Sequence, residues 1–334
     1  MSRRYNKMSA LRIGIAGLGV ISGVHLEAIQ NLETGLLVAA CDLDPAKKLE
    51  EVPFYTSLEE MLRQEDLDCV HICLPHHEHV GAVLLCEKYG VHAFVEKPIG
   101  LDLADINRLG TPNIKVGTCL QNRYNPTSLA LKNLIEEGTF GNVVGTKAVV
   151  TWNRGELYYK KDPWRGKISE AGGGVMLSQA VHTLDLLYLV GGPVSWVKGL
   201  AGNLLREEIE VEDTAAAHIQ FKGGSQGIFY GTVTHCFNSQ IEVEVVLEKA
   251  VAKIKDSKLL LYVDGREEIL AEDIPLAGRK SYYGTGHQLA ISAFYEAIQN
   301  GTTDYITIEE ATHSVAICEG VMKSAASGSR IYFK

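Results

Sequence analysis

Two stretches of the chain carry residue types suited to moving a proton or steadying a negative charge. The first is Glu96-Lys97-Pro98, which closes the apolar run 91–95. A lysine held there, partly out of water, could stabilise an alkoxide or pass it a proton. A surface Lys–Glu pair ahead of a turn is the competing reading. The second is Gly172-Gly173-Gly174 with the helical pattern 175–190 after it. On an ideal helix Ser178, His182 and Asp185 fall at i, i+4 and i+7 and share one face. Histidine has an unperturbed pKa fit for exchanging protons near neutrality. The competing reading is a core histidine satisfied by Asp185 or by a main-chain carbonyl.

Another stretch is fit to bind. Leu11, Ile13 and Ile15 alternate as in a strand and run into Gly17-Leu18-Gly19, after which a helical pattern begins. Strand, tight turn and helix are the setting that a dinucleotide-binding glycine turn requires. Gly17 makes the turn and Gly19 lets a pyrophosphate approach the backbone. The amides from Val20 and Ile21 onward then offer that anion the positive end of the helix. Ser22 holds the third glycine position, and Gly23 follows it. Asp42 closes the next apolar run, 36–41. A carboxylate there accepts from a ribose 2′-hydroxyl and repels a 2′-phosphate. No arginine or serine follows it, so NAD is expected rather than NADP. A turn residue before Pro45 is the other use for Asp42.

These side chains depend on the elements that place them. Through residue 122 the pattern alternates strand and helix. Ser57-x-x-Glu60 reads as a capping box opening a helix to 64. The nearly continuous apolar run 70–74 reads as a strand buried on both faces, ending at Leu74-Pro75. A helix over 78–89 follows, stopped by Gly90, then strand 91–95, a short helix 103–109 and strand 115–120. Repeated units of this kind mean a doubly wound parallel sheet whose ligand site lies off the strands' carboxyl ends. Gly17, Asp42, Pro75, Lys97 and Asn122 all sit at such ends.

After Asn125-Pro126, read as a cap and first helical position for a helix to 137, strands dominate: 143–152, 194–202, 213–221, 226–235, 240–247 and 259–263. Short turns between them indicate an open, mostly antiparallel sheet. Helices over 175–190, over 286–299 and from Thr307-x-x-Glu310 to 324 interrupt or close it. The expected division is a Rossmann dinucleotide-binding domain over 9–122 and an α/β domain for substrate binding and oligomerisation over 123–334. The second sheet's exposed face would join copies into a homodimer or homotetramer.

The 334 residues carry a net charge of −9, which argues against nucleic acid or an anionic membrane surface as partner. No apolar run approaches the ~18–20 residues that span a bilayer. The basic start, MSRRYNKMS, lacks the apolar core of a signal peptide and reads as a short disordered lead-in. The 7 cysteines are scattered without a Cys-x-x-Cys pair and read as small hydrophobes in a reducing cytoplasm. His76-His77-Glu78-His79 suggests zinc, but consecutive residues cannot close a tetrahedron without distant ligands, so no metal is expected. The stretch 154–165, with Arg154, Tyr158, Tyr159, Trp164 and Arg165, suits a sugar or its phosphate, with a subunit contact as the alternative. The acidic run 207–212 reads as a solvated turn.

In order and spacing, the glycine turn, Glu96-Lys97-Pro98 and Gly172-Gly173-Gly174…His182-x-x-Asp185 resemble the glucose–fructose oxidoreductase/inositol dehydrogenase/MocA (Gfo/Idh/MocA) family over nearly the whole chain. The resemblance implies an NAD(P)-dependent dehydrogenase acting on a secondary hydroxyl of a sugar, cyclitol or nucleotide sugar. It implies that Lys97 and His182 are catalytic and that the Lys97–Pro98 bond is cis. It also implies that Leu74, Pro75, His79 and Glu96 pack at the cofactor. The family carries Asp four residues before the histidine, where this chain has Ser178, so a Lys–Asp–His trio does not carry over. Ser178-Gln179, Gln121-Asn122-Arg123-Tyr124 and Trp164-Arg165-Gly166 resemble a branch that includes nucleotide-sugar 3-dehydrogenases. Arg123, Tyr124, Trp164, Arg165, Ser178 and Gln179 are thereby the expected substrate contacts. Two other activities fit the same scaffold, an NAD-dependent glycosidase with transient hydride transfer and a non-catalytic dinucleotide sensor.

Overall fold

The computed structural model describes residues 10–274 and 285–333; the basic lead-in lies outside them. Six parallel strands form the first sheet: β1 (Leu11–Ala16), β2 (Gly35–Cys41), β3 (Phe54–Tyr55), β4 (Cys69–Ile72), β5 (His92–Glu96) and β6 (Val116–Cys119). Their order is β3-β2-β1-β4-β5-β6. The order reverses between β1 and β4, and a crevice for ligand opens at that switch point off the carboxyl ends. All four residues of β4 are buried, as its continuous apolar run requires when both faces are covered. Helices α1 (Ser22–Asn31), α2 (Leu58–Gln64), α3 (His79–Lys88) and α4 (Leu103–Asn107) connect these strands. The Ser57 hydroxyl accepts from the Glu60 amide at the start of α2, as the capping pattern foretold.

The second sheet has nine strands: β7 (Val143–Thr151), β8 (Val194–Gly202), β9 (Thr214–Phe221), β10 (Gln226–Thr232), β11 (Glu242–Leu247), β12 (Val251–Lys255), β13 (Lys258–Val263), β14 (Arg266–Glu272) and β15 (Ile331–Tyr332). The order is β14-β13-β12-β11-β7-β10-β9-β8-β15. Only β7 and β10 run parallel; the other pairs are antiparallel. The sequence reading missed β3, β12, β14 and β15. β14 is a charged edge strand exposed along most of its length, so it has no alternation to detect. Its signal is Asp264-Gly265, a two-residue turn with φ of 49° and 76°, which is the geometry that hairpins favour.

Helices α5 (Pro126–Glu136), α6 (Glu156–Lys161), α7 (Ile168–Ala171), α8 (Val181–Gly191), α9 (Gly286–Asn300) and α10 (Ile308–Ser327) complete the chain. The Asn125 side chain makes no capping bond at α5, whereas Thr307 and Glu310 form a complete capping box at α10. The helix expected over 175–190 is not continuous: Val175–Gln179 is a π-helical turn, and α8 begins only at Val181. The distal helix α9 returns to the first sheet, where Ile291, Phe294 and Tyr295 pack with Ile13, Phe94 and Cys119. One face of the second sheet leaves Leu200, Ile228 and Tyr230 exposed.

Candidate active site

The turn after β1 is shaped for a dinucleotide. Gly17 has φ of +91°, and a Cβ there would lie 2.5 Å from the Cys73 carbonyl oxygen, so only glycine fits. A Cβ on Gly19 would meet nothing within 4 Å, and Val20 is exposed, leaving that backbone open to a ligand. The Ser22 hydroxyl donates to the Gly19 carbonyl (2.7 Å), tying the turn to the first residue of α1. No side chain caps α1, whose N-cap residue is Ile21, so its first amides remain for an anion. Asp42, at the end of β2, accepts from the amides of Leu18 (2.7 Å) and Asp44 (2.9 Å) and from Lys47 Nζ (3.0 Å). Burial works to raise its pKa, but those donors outweigh it and hold Asp42 below the ordinary carboxylate range. These residues fit NAD: an ionised carboxylate, a bare glycine backbone and an uncapped helix start lie together at the crevice.

The ends of β4 and β5 converge on the same crevice. His79 lies with Nδ1 2.7 Å from the Pro98 carbonyl and Nε2 2.9 Å from the Leu74 carbonyl. It thereby ties the Lys97–Pro98 turn, whose peptide bond is cis, to Leu74-Pro75. His76 and His77 face the carbonyls of Ala171 (2.9 Å) and Glu170 (3.2 Å), so this histidine cluster joins α7 to the first sheet. Asn122 is buried in the short turn after β6.

Glu96 is buried against α1 and α9. Its carboxylate accepts from His25 Nε2 (2.9 Å) and from the Lys97 amide (3.3 Å), with His287 3.9 Å away. His25 Nδ1 meets His71 Nδ1 at 2.8 Å, and His71 Nε2 meets the Tyr295 hydroxyl at 2.8 Å. Burial holds His71 neutral, so it offers one donor and one acceptor and satisfies both bonds. Sequence reasoning missed this buried chain of His25, His71, Glu96 and Tyr295; its only local trace was a polar residue in each of three apolar runs. Among the described residues, only His25, Glu96 and Cys119 bring metal-binding atoms within 4.8 Å of one another. There His25 and Glu96 spend theirs on each other.

Burial alone would raise the Glu96 pKa, but the hydrogen bond and charge of His25 pull it far below the usual range. A depressed carboxylate stabilises the fold fully above its unfolded pKa of about 4.3 and loses that contribution as pH falls toward the folded value. Glu96→Gln is therefore expected to lower stability by about 2 kcal/mol above pH about 5, a gap that narrows below pH about 4. Urea unfolding of both proteins across that range would measure it, and a gap that widens in acid would remove the pair from this role.

The catalytic candidates meet across the crevice. Lys97 Nζ donates to the main-chain carbonyl of Ser178 at 2.9 Å. Burial lowers the Lys97 pKa, only partly offset by Glu96, with Arg165 and Arg154 adding to the fall. His182 is 8% exposed, and burial first, then the charge of Lys97, hold it neutral. Its Nδ1 has no hydrogen-bond partner among the described residues. Asp185 does not satisfy it. Three residues further along the same helix, Asp185 instead forms a two-pronged ion pair with Arg123 (2.7 Å at both bonds), while Arg123 also reaches Glu310 (3.0 Å). Arg123 is thus committed to a buried clamp between elements, with Tyr124 packed beside it in the core.

Glu212 shapes the π-helical turn. Far from lying in a solvated turn, its buried carboxylate accepts from the amides of Gly174 and Met176 (both 2.9 Å). The acidic run hides this because the contact is long-range. A Cβ on Gly174 would come 1.9 Å from the Glu212 carbonyl oxygen, so the third glycine is needed for close approach. The Ser178 hydroxyl donates to the Gly173 carbonyl (2.8 Å), so it is the Ser178 main-chain carbonyl that meets Lys97.

The remaining wall is aromatic and basic. Gln179 Nε2 donates to the Tyr158 hydroxyl (2.9 Å), as does Arg165 Nη1 (3.0 Å). The Arg165 guanidinium lies 4.6 Å from the Trp164 ring centre and 5.0 Å from that of Tyr158. Trp164 meets His76 edge-on at 4.8 Å, joining this wall to the end of β4.

Comparison with known proteins agrees with this architecture. Residues 11–124 match a family model described as "Oxidoreductase family, NAD-binding Rossmann fold". Residues 128–253 match the GFO/IDH/MocA C-terminal domain. The chain is 27% identical to myo-inositol 2-dehydrogenase of Thermotoga maritima, covering 70% of this chain and 72% of that protein. It is 27% identical to the trans-1,2-dihydrobenzene-1,2-diol dehydrogenase of Bos taurus, covering 94% and 97%. The WlbA dehydrogenase from Bordetella pertussis, solved with NADH and UDP-GlcNAcA, superposes with a TM-score of 0.84 at 26% identity, covering 97% of this chain and 99% of that one.

Proposed function

The chain belongs to the Gfo/Idh/MocA family and is an NAD-dependent oxidoreductase, and we propose that it acts on a secondary hydroxyl of a sugar, cyclitol or nucleotide sugar. The observation that carries this reading is the neutral, partnerless imidazole of His182 beside the part-buried amine of Lys97. His182 keeps 8% exposure, and through that exposed edge a substrate hydroxyl reaches the neutral ring, which takes the hydroxyl proton as general base. Lys97 steadies the oxygen as negative charge develops on it. Bound NAD⁺ supplies the hydride acceptor. Gly17, Gly19, Val20, Ile21 and Asp42 hold it, with Leu74, Pro75, His79, Glu96 and Asn122 lining the crevice. Trp164, Arg165 and Gln179 face the sugar. The related enzymes named above act on a cyclitol and a dihydrodiol or bind a UDP-sugar, which supports an alcohol on a ring as the reacting group.

The exposed apolar positions on the second sheet, Leu200, Ile228 and Tyr230, support a homodimer or homotetramer joined through that face. The 7 unpaired cysteines, 6 of them buried, support a reducing cytoplasm as the setting. Among the described residues no helix is long and apolar enough to cross a membrane.

The direct test mixes the protein with NAD⁺ or NADP⁺ and a panel of sugars, cyclitols, sugar phosphates and nucleotide sugars, following absorbance at 340 nm. A rise with one class and NAD⁺ is expected. No rise with any, with NADH still bound, overturns the reading, and aglycone release without net NADH identifies a glycosidase. Asp42→Asn tests the cofactor end. It removes the charge that repels a 2′-phosphate and releases Lys47 to attract one, so the NADH/NADPH affinity ratio is expected to fall about 100-fold. Fluorescence titration reads this, and an unchanged ratio would take Asp42 away from the ribose.

A further inference from the structure

We propose that Arg154 and Arg165 form an anion subsite and that the substrate's ring carries a carboxylate or phosphate beside the hydroxyl that reacts. This rests on the sugar-hydroxyl reading above. Arg154 is 8% exposed, yet every partner it has is neutral. Its Nε donates to Gln179 Oε1 (2.9 Å), and its Nη1 donates to the Asn153 carbonyl (3.1 Å) and to Asn238 Oδ1 (2.8 Å). Its plane lies 4.8 Å from the Trp152 ring centre and 5.4 Å from that of Tyr158. Among the described residues no aspartate or glutamate forms an ion pair with it, and Nη2 makes no hydrogen bond. A guanidinium taken out of water needs a countercharge, and among the described residues this one has none.

The second cation stands across the same tyrosine. Arg165 bonds the Tyr158 hydroxyl that Gln179 also bonds, and Gln179 is the acceptor for Arg154. A single network therefore fixes both guanidiniums before any ligand arrives. Arg165 stacks on Trp164, which meets His76, and Arg154 bonds Gln179, the neighbour of the Ser178 whose carbonyl takes Lys97 Nζ, so both stand at the wall of the reaction crevice. Asp162 neutralises Arg165 in part, from a half-exposed position (3.2 Å). The chain as a whole carries −9, so three cations gathered at one crevice are not its general character. A planar, pre-set guanidinium with a spare terminal nitrogen suits an oxyanion, and its charge-assisted bonds are about twice as strong as neutral ones. A neutral sugar would leave Arg154 buried and uncompensated.

The test uses NADH-loaded protein and fluorescence titration with matched probes: UDP-glucuronate against UDP-glucose, and glucuronate and glucose 6-phosphate against glucose. An acidic probe is expected to bind about 30-fold tighter than its neutral match. Arg154→Gln should erase most of that preference while NADH affinity stays within about two-fold, and Arg154→Lys should restore part of it. Preference for a uronate marks a carboxylate ligand, and preference for glucose 6-phosphate marks a phosphate. Equal binding of matched probes, no binding of any acidic probe, or a preference that survives Arg154→Gln overturns the subsite. Oxidation of a neutral sugar by both wild type and Arg154→Gln would overturn it while leaving the dehydrogenase reading intact. Tight acid binding with no 340 nm rise on any substrate would do the reverse.

Discussion

Lys97→Met is expected to lower kcat by about three orders of magnitude while NADH affinity stays within about two-fold. Methionine keeps an apolar stem of similar length, so the packing at the end of β5 survives and the change falls on the charge. That charge has two uses at this site. In the proposed reaction it would stabilise the oxyanion that forms as the hydroxyl proton leaves and, with burial, would keep His182 neutral to accept that proton. Loss of one such donor from a dry site costs on the order of 100- to 1000-fold, and loss of proton relay support adds to it. Steady-state rates at 340 nm and fluorescence titration separate the two quantities. Turnover like wild type in this variant would end the assignment of Lys97 to the chemistry.

The largest effect on stability is expected at Asp185. Asp185→Ala strands Arg123 in the interior with only the partly exposed Glu310 for a partner. Removing one member of a buried ion pair costs about 3–5 kcal/mol, because the other charge stays desolvated. The melting temperature should fall by roughly 10 °C. Replacing both charges, as Arg123→Met with Asp185→Leu, should recover much of the loss, since two apolar side chains need no countercharge. Calorimetry on the two variants decides it. If the double variant is as unstable as Asp185→Ala, the cost lies in packing rather than in the orphaned guanidinium.

Much of this was legible in the chain. Gly17, Asp42, Pro75 and Lys97 were placed at one crevice because strand ends in a doubly wound sheet must share an edge, and sequence shows where strands end. The capping residues Ser57 and Thr307 marked helix starts for the same local reason. What escaped was decided by distant contacts. Tyr295 lies 224 positions from His71, and His71 lies 46 from His25, and each alone passes for a core residue. Glu212 sits in a run of charges that looks solvated, yet two amides of a different segment claim its carboxylate. The pairing of Asp185 with Arg123 joins residues 62 positions apart, which helical spacing cannot anticipate. Arg154 was visible as a basic residue among aromatics, but that its partners are all neutral is a fact of tertiary structure.

The return of α9 to the first sheet has a consequence for how the molecule is made. Phe294 and Tyr295 cover strands laid down near the chain's start, and Tyr295 closes the hydrogen-bonded chain that begins at Glu96. A ribosome releases those strands long before it reaches residue 286. Until then the part of that face beside α1 stays bare and His71 lacks its phenol, although every strand of that sheet has emerged. The nascent first sheet thus spends the synthesis of about half the protein in need of cover, the interval in which a chaperone has most to do.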